Sequence, residues 1–161
     1  MELQAMIDAY LAGGATLRRA VTGMTREQLV AHPVPGKWST LEVVCHIADF
    51  EPVYADRMKR VIAEDQPLFL SADEARFAAS LNYLGRELDE ELALIDLTRH
   101  QMASILRTVP PETLARTGVY RRHEVADEPR NLERLLTLIT NHIPHHVKFI
   151  VEKRRALGLP T

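Results

Sequence analysis

Three histidines fall within five residues in the stretch Asn141–Ile150, NHIPHHVKFI, inside a strongly apolar helical pattern. His142 and His146 stand four apart, so a helix places both rings on one face, one turn above the other. That spacing suits two imidazoles reaching one divalent metal ion. With residues set about 100° apart, Leu132, Leu135, Leu136, Ile139, Ile143, Val147 and Ile150 form one apolar stripe. His146 falls inside the stripe and His142 at its edge, while His145 lies farther round, toward Asn141 and Lys148. Imidazoles that face a core need partners, because an unpaired buried polar group is costly. A metal ion would satisfy both rings at once, and so would carboxylates or water. A third ligand from elsewhere in the chain would decide between them.

His46 is the next histidine of interest. It lies beside the apolar face of a second helix, on a line with Glu42, Asp49, Phe50 and Val53. Glu42 is one turn before it and Asp49 one turn after. A carboxylate at that distance is what orients the outer nitrogen of a metal-bound imidazole, and it is also what an ordinary exposed helix edge looks like. Cys45 is turned about 100° away from His46, so it is not expected to bind the same ion. His32, His100 and His123 read as solvated.

Composition narrows the classes. The chain has 161 residues, enough for one domain with a substantial core. Its 46% hydrophobic and 26% charged content is ordinary for a soluble globular protein. The formal net charge is −2 and the basic residues are scattered, so no nucleic-acid surface is expected. The single Cys45 excludes an intramolecular disulfide and any multi-cysteine metal site. No apolar run reaches membrane-spanning length, and the N-terminus has early acidic residues and no basic n-region. A cytoplasmic protein without membrane partners is expected.

Four long amphipathic helices must position the histidines. The first covers residues 2 to about 23, interrupted by Gly13-Gly14, which permits either a close helix approach or a simple bend. Thr25–Gln28 has capping-box form and opens a short helix. Ser39 and Glu42 form a second capping box, and Trp38 and Val43 are placed as a hydrophobic staple. The helix they start runs to about Ala63, with Pro52 inside it. Ser71–Glu74 has capping-box form again and begins a short helix to about Ala79. The third long helix spans about Tyr83 to Arg107. Residues 110–130 read as a loop across one end of the bundle, with a minor strand-like patch at Gly118–Tyr120. Asn131 caps the fourth long helix, which reaches about Ala156 and contains Pro144. Glu51 and Arg99 are the odd charges on otherwise apolar stripes, so both are expected to face inward and to pair. The pattern is an all-α four-helix bundle whose connections are long enough for crossovers.

Two motifs resemble the DinB superfamily, the DinB/YfiT-like metalloenzymes. GKWSTLEVVCHIADFE (Gly36–Glu51) is similar to the family's Trp, capping Ser/Thr, Glu and His-Ile-x-Asp-x-Glu run. NHIPHHVKFI is similar to its His-x-x-His-His segment on the last helix. The resemblance covers nearly the whole chain. It implies a crossover bundle, often a homodimer, and a three-His metal site at His46, His142 and His146. Pro144, and Lys148-Phe149 where many members have a Gly-Gln-type pair, depart from the pattern and bear on pocket shape and reaction more than on ligation.

Three neutral imidazoles leave an open coordination position for water or a thiolate. Hydrolysis or thiol transfer on a small molecule is therefore expected, with a low-molecular-weight thiol as one partner, as in some relatives. Asp49 or Glu42 would orient His46 or take a proton. Zinc or nickel suits the donor set best, and iron or manganese would also fit. The competing readings are a stress-associated binding protein with a structural or vestigial metal site, and a metal-free interaction module.

Overall fold

A computed structural model describes residues 2–122 and 125–161. Four long helices carry the fold: α1 (Leu3–Val21), α3 (Thr40–Ala63), α5 (Leu88–Leu106) and α6 (Leu132–Ala156). Two short ones lie between them, α2 (Arg26–Val30) and α4 (Glu74–Ser80). α1 and α3 each pack on both α5 and α6, so successive long helices α1 and α3 stand across a diagonal and the connections cross over. No helix among the described residues is long and apolar enough to cross a membrane.

The helix starts follow the caps read from the chain. Thr25 and Ser39 each make both arms of a capping box, and Asn131 accepts the Arg134 N–H at 2.8 Å. Trp38 packs in the same apolar cluster as Val43, which fixes how the chain enters α3. The third box is corrected. Ser71 donates its N–H to the Arg121 carbonyl at 3.0 Å and so continues a strand, and Asp73 becomes the cap of α4. Likewise α5 begins only at Leu88, because Tyr83–Gly85 form a separate 3-10 turn and leave Leu84 exposed. α3 and α6 continue through Pro52 and Pro144, both exposed.

A three-stranded sheet replaces the expected end loop. β2 (Thr117–Arg121) is central, parallel to β1 (Leu68–Leu70) and antiparallel to β3 (Glu128–Asn131). Val119 and Tyr120 favour a pleated, half-buried surface. Gly118 lies beneath the Phe69 ring, where an added Cβ would collide with it. Pro129 is tolerated because β3 is an edge strand. The expected solvation of His123 falls outside the described residues.

At mid-bundle Glu51 and Arg99 pair as expected. Arg99 Nε donates to Glu51 Oε1 at 2.9 Å, its Nη2 reaches the same oxygen, and the side chains are 1% and 0% exposed. Arg99 also donates to the carbonyls of Tyr10 and, at 3.1 Å, Ile139. The Tyr10 hydroxyl donates to Glu51 Oε2 at 3.2 Å. Burial, then the Glu51 charge, holds the Tyr10 phenol well above its usual range, so it remains a donor. Gly13 and Gly14 allow a close helix approach: a Cβ at Gly13 would strike Arg99, and one at Gly14 would strike Asp96. The large apolar residues of α1 are buried or half-buried. The large exposed apolar side chains of the long helices are Leu94 and Leu97, on α5.

Breaking one side of this buried pair leaves an uncompensated charge. Glu51→Gln or Arg99→Met should each cost about 3–5 kcal/mol, read as a fall in the urea midpoint. Gly13→Ala should also destabilise, because Arg99 must then leave its partners. An unchanged midpoint in all three variants would contradict the clasp.

Candidate metal centre

The Ser39 cap and the Trp38 contact set the first turns of α3, and His46 follows two turns in, 1% exposed. Trp38 and Phe50 flank its ring, with centroids 5.2 and 4.6 Å away. From α6, His142 and His146 come to the same point. His142 Nε2 lies 3.1 Å from His46 Nε2 and 3.1 Å from His146 Nε2. All three donor nitrogens lie within 4.8 Å of one another.

Three convergent imidazole nitrogens invite a test of fit. Tetrahedral zinc–nitrogen bonds of about 2.0–2.1 Å place neighbouring donors about 3.3–3.4 Å apart, close to the two 3.1 Å separations made by His142. A single N–H at His142 Nε2 could bridge only one of its two neighbours, whereas a cation serves all three lone pairs. Burial, then the charges of His146, His46 and Arg99, lowers the His142 pKa to about 2. Burial and then His46 lower that of His146 to about 4. Burial also lowers His46, against the opposing pull of Glu74 and Asp49. The rings are therefore neutral near pH 7, as metal ligands must be. The Nδ1 atoms of all three are buried without a hydrogen-bond partner among the described residues. The donor set fits a divalent ion.

The two carboxylates expected to orient His46 have other partners. Glu42 accepts from the Ser39 N–H at 2.7 Å and meets His32 Nε2 at 2.8 Å. Partial burial disfavours its charge, but Ser39 and His32 hold its carboxyl below the usual range. Asp49 accepts from Arg86 at 2.9 Å, and Arg86 also binds Glu91. Each acid thus has a partner of its own, although Asp49 Oδ2 is buried without a hydrogen bond among the described residues. The acid that does approach is Glu74, in the first turn of α4, with Oε2 3.7 Å from His46 Nε2. Its only local signal was its place in a capping pattern, so nothing in the sequence tied it to His46. His145 and His100 are exposed, and His32 is engaged with Glu42 rather than merely solvated. Cys45 is buried away from the cluster, its Sγ donating to the Tyr83 carbonyl at 3.5 Å, and burial pushes its thiol up to about 12.

A cleft of about 350 Å³ leads to His146. Trp38, Val43 and Phe149 give it apolar walls, Glu74 stands at the His46 side, and Lys37 and Lys153 supply positive charge. A second hollow of about 540 Å³, between Arg57 and Leu68–Leu70, contains none of the histidines.

Comparison with known proteins places these features in context. The chain is 30% identical over 144 residues to YfiT of Bacillus subtilis, covering 89% of this chain and 79% of that protein. A relative in Bacillus licheniformis is 26% identical over 157 residues, covering 98% and 88% of the two chains. Both names assign those proteins, provisionally, to the metal-dependent hydrolases. The solved structure of YfiT superposes with a TM-score of 0.88 at 26% identity, covering 98% of this chain and 89% of that one. It is described as a probable metal-dependent hydrolase with an unusual four-helix bundle topology. The DinB superfamily model matches residues 9–150, which include His46, His142 and His146, and the chain belongs to that superfamily.

Proposed function

We propose that this protein is a metal-dependent enzyme that hydrolyses a small molecule or transfers a thiol to it, using one divalent ion held by His46, His142 and His146. The observation that carries this reading is the convergence of three neutral Nε2 atoms beside an open cleft. His46, His142 and His146 would hold the ion, which when bound would supply acidification of a water or thiol near neutral pH. The chain's own residues do the rest. Trp38 and Phe50 shield His46 from bulk water and hold its ring in place. Glu74, close to His46 yet 63% exposed, is placed to take a proton and pass it to solvent. Zinc or nickel suits an all-imidazole set, and iron or manganese would also fit. The names borne by the relatives favour hydrolysis. A homodimer belongs to this reading, its face on α5 around Leu94 and Leu97. Sedimentation equilibrium giving only an 18.2 kDa species at tens of micromolar would remove it.

His46→Ala, His142→Ala and His146→Ala should each sharply reduce the metal content of purified protein, while His145→Ala and His100→Ala should leave it intact. Retention of metal by all five variants would eliminate the site. Glu74→Gln should keep the metal yet slow turnover of an activated ester or thiol acceptor; an unchanged rate would free Glu74 from any catalytic duty.

The buried imidazoles also set a pH dependence for the metal-free chain. Their folded pKa values lie below the unfolded value near 6.5, so the unfolded state binds more protons in acid. Stability should be intact above pH 6.5 and fall as pH drops toward 4 and beyond. Chelator-treated His142→Leu should show a shallower decline in urea melts, and identical slopes would contradict this assignment.

A further inference from the structure

Lys153 is 2% exposed, yet the functional reading gives it no task. Its Nζ donates to the Phe149 carbonyl at 3.1 Å, one turn back along α6, and no carboxylate lies within ion-pair distance among the described residues. An ammonium carries three donors, and a buried one without a counter-charge is costly. Glu152 and Glu42 act on Lys153 only at longer range, and Glu42 is already held by Ser39 and His32. Lys153 instead lines the cleft that ends at His146, and the exposed Lys37 lines it too. Trp38, Val43 and Phe149 line the same cleft.

We infer that Lys153, aided by Lys37, binds the carboxylate of a small substrate whose apolar body rests on Trp38 and Phe149 and whose reacting group points to the histidines. This deepens the proposed function and rests on it for the direction of the reacting group. His146, Phe149 and Lys153 follow one another at steps of three and four on one face of α6. Lys153 Nζ reaches back to the level of Phe149. The anion therefore sits roughly one to two helical turns from the histidine cluster, about 5–10 Å along the axis. That distance calls for a substrate with a few bonds between carboxylate and reacting group. Glu74 stands at the His46 side, where its charge discourages the anion from binding the other way round.

Trp38 is the sole tryptophan and lines the cleft, so its fluorescence reports occupancy directly. The probes are 3-phenylpropanoate and its neutral amide, titrated into the full-length chain both zinc-loaded and chelator-treated. The acid should bind about tenfold or more tightly than the amide, with zinc and without it. Lys153→Met should remove that preference and leave amide binding unchanged, and Lys153→Arg should retain most of it. Equal binding of acid and amide, or no saturable response to the acid at millimolar concentration, would overturn the inference. A preference that appears only with zinc and survives Lys153→Met would overturn it as well, since the carboxylate would then be a metal ligand. Loss of zinc binding alone would sink the metal reading, while the acid-to-amide ratio in chelator-treated protein would still report on Lys153.

Discussion

The bundle is organised around one buried charge pair. Glu51 on α3 and Arg99 on α5 meet at the centre, and Arg99 also takes carbonyls from Tyr10 on α1 and Ile139 on α6. A guanidinium presents five donors in a fixed fork, so it can gather acceptors from several helices at once. Replacing such a pair by well-packed apolar residues is often neutral or stabilising. Its value here is therefore registry more than net stability. Four amphipathic helices can slide by a turn and still bury leucines, but in only one register do a carboxylate and two carbonyls converge on Arg99 while the Tyr10 hydroxyl reaches the same carboxylate.

That register is what the metal centre needs. Glu51 lies five residues beyond His46 on α3, and Ile139 lies one turn before His142 on α6. Fixing the level of the first of each fixes the second. The small residues on α1 serve the same end, since Gly13 leaves the room that Arg99 occupies. Around the histidines the remaining acids are tied up locally, Glu42 at the helix cap and Asp49 on Arg86. The cleft beyond is left with aromatic walls and positive charge at one end, and one acid at the other.

What could be read from the chain was what lies on a helix. Caps at Thr25, Ser39 and Asn131, the inward charges Glu51 and Arg99, and the common face of His142 and His146 all follow from three- and four-residue spacing. Contacts between distant segments were hidden. The pairing of Leu68–Leu70 with Val119–Arg121 leaves no mark in either stretch that periodicity can detect, and a three-residue strand has hardly any period. In the same way, Glu42 and Asp49 are within reach of His46 by sequence, whereas the approach of Glu74 from α4 to His46 Nε2 exists only in three dimensions. Only the family resemblance joined His46 to the two histidines of α6.

The separation between those ligands shapes how the protein is made. His46 and His142 are 96 residues apart, and α6 follows α1, α3 and α5 in the chain. As the polypeptide leaves the ribosome, α1, α3 and α5 emerge first, with the groove for α6 open and Arg99 short of one acceptor. Domains rich in such distant contacts close slowly, because the loop entropy must be spent before the contacts form. Arrival of α6 completes the core, the clasp and the histidine cluster in one step. A nascent chain therefore assembles its histidine cluster only when it gains its fold, and without α6 it has neither.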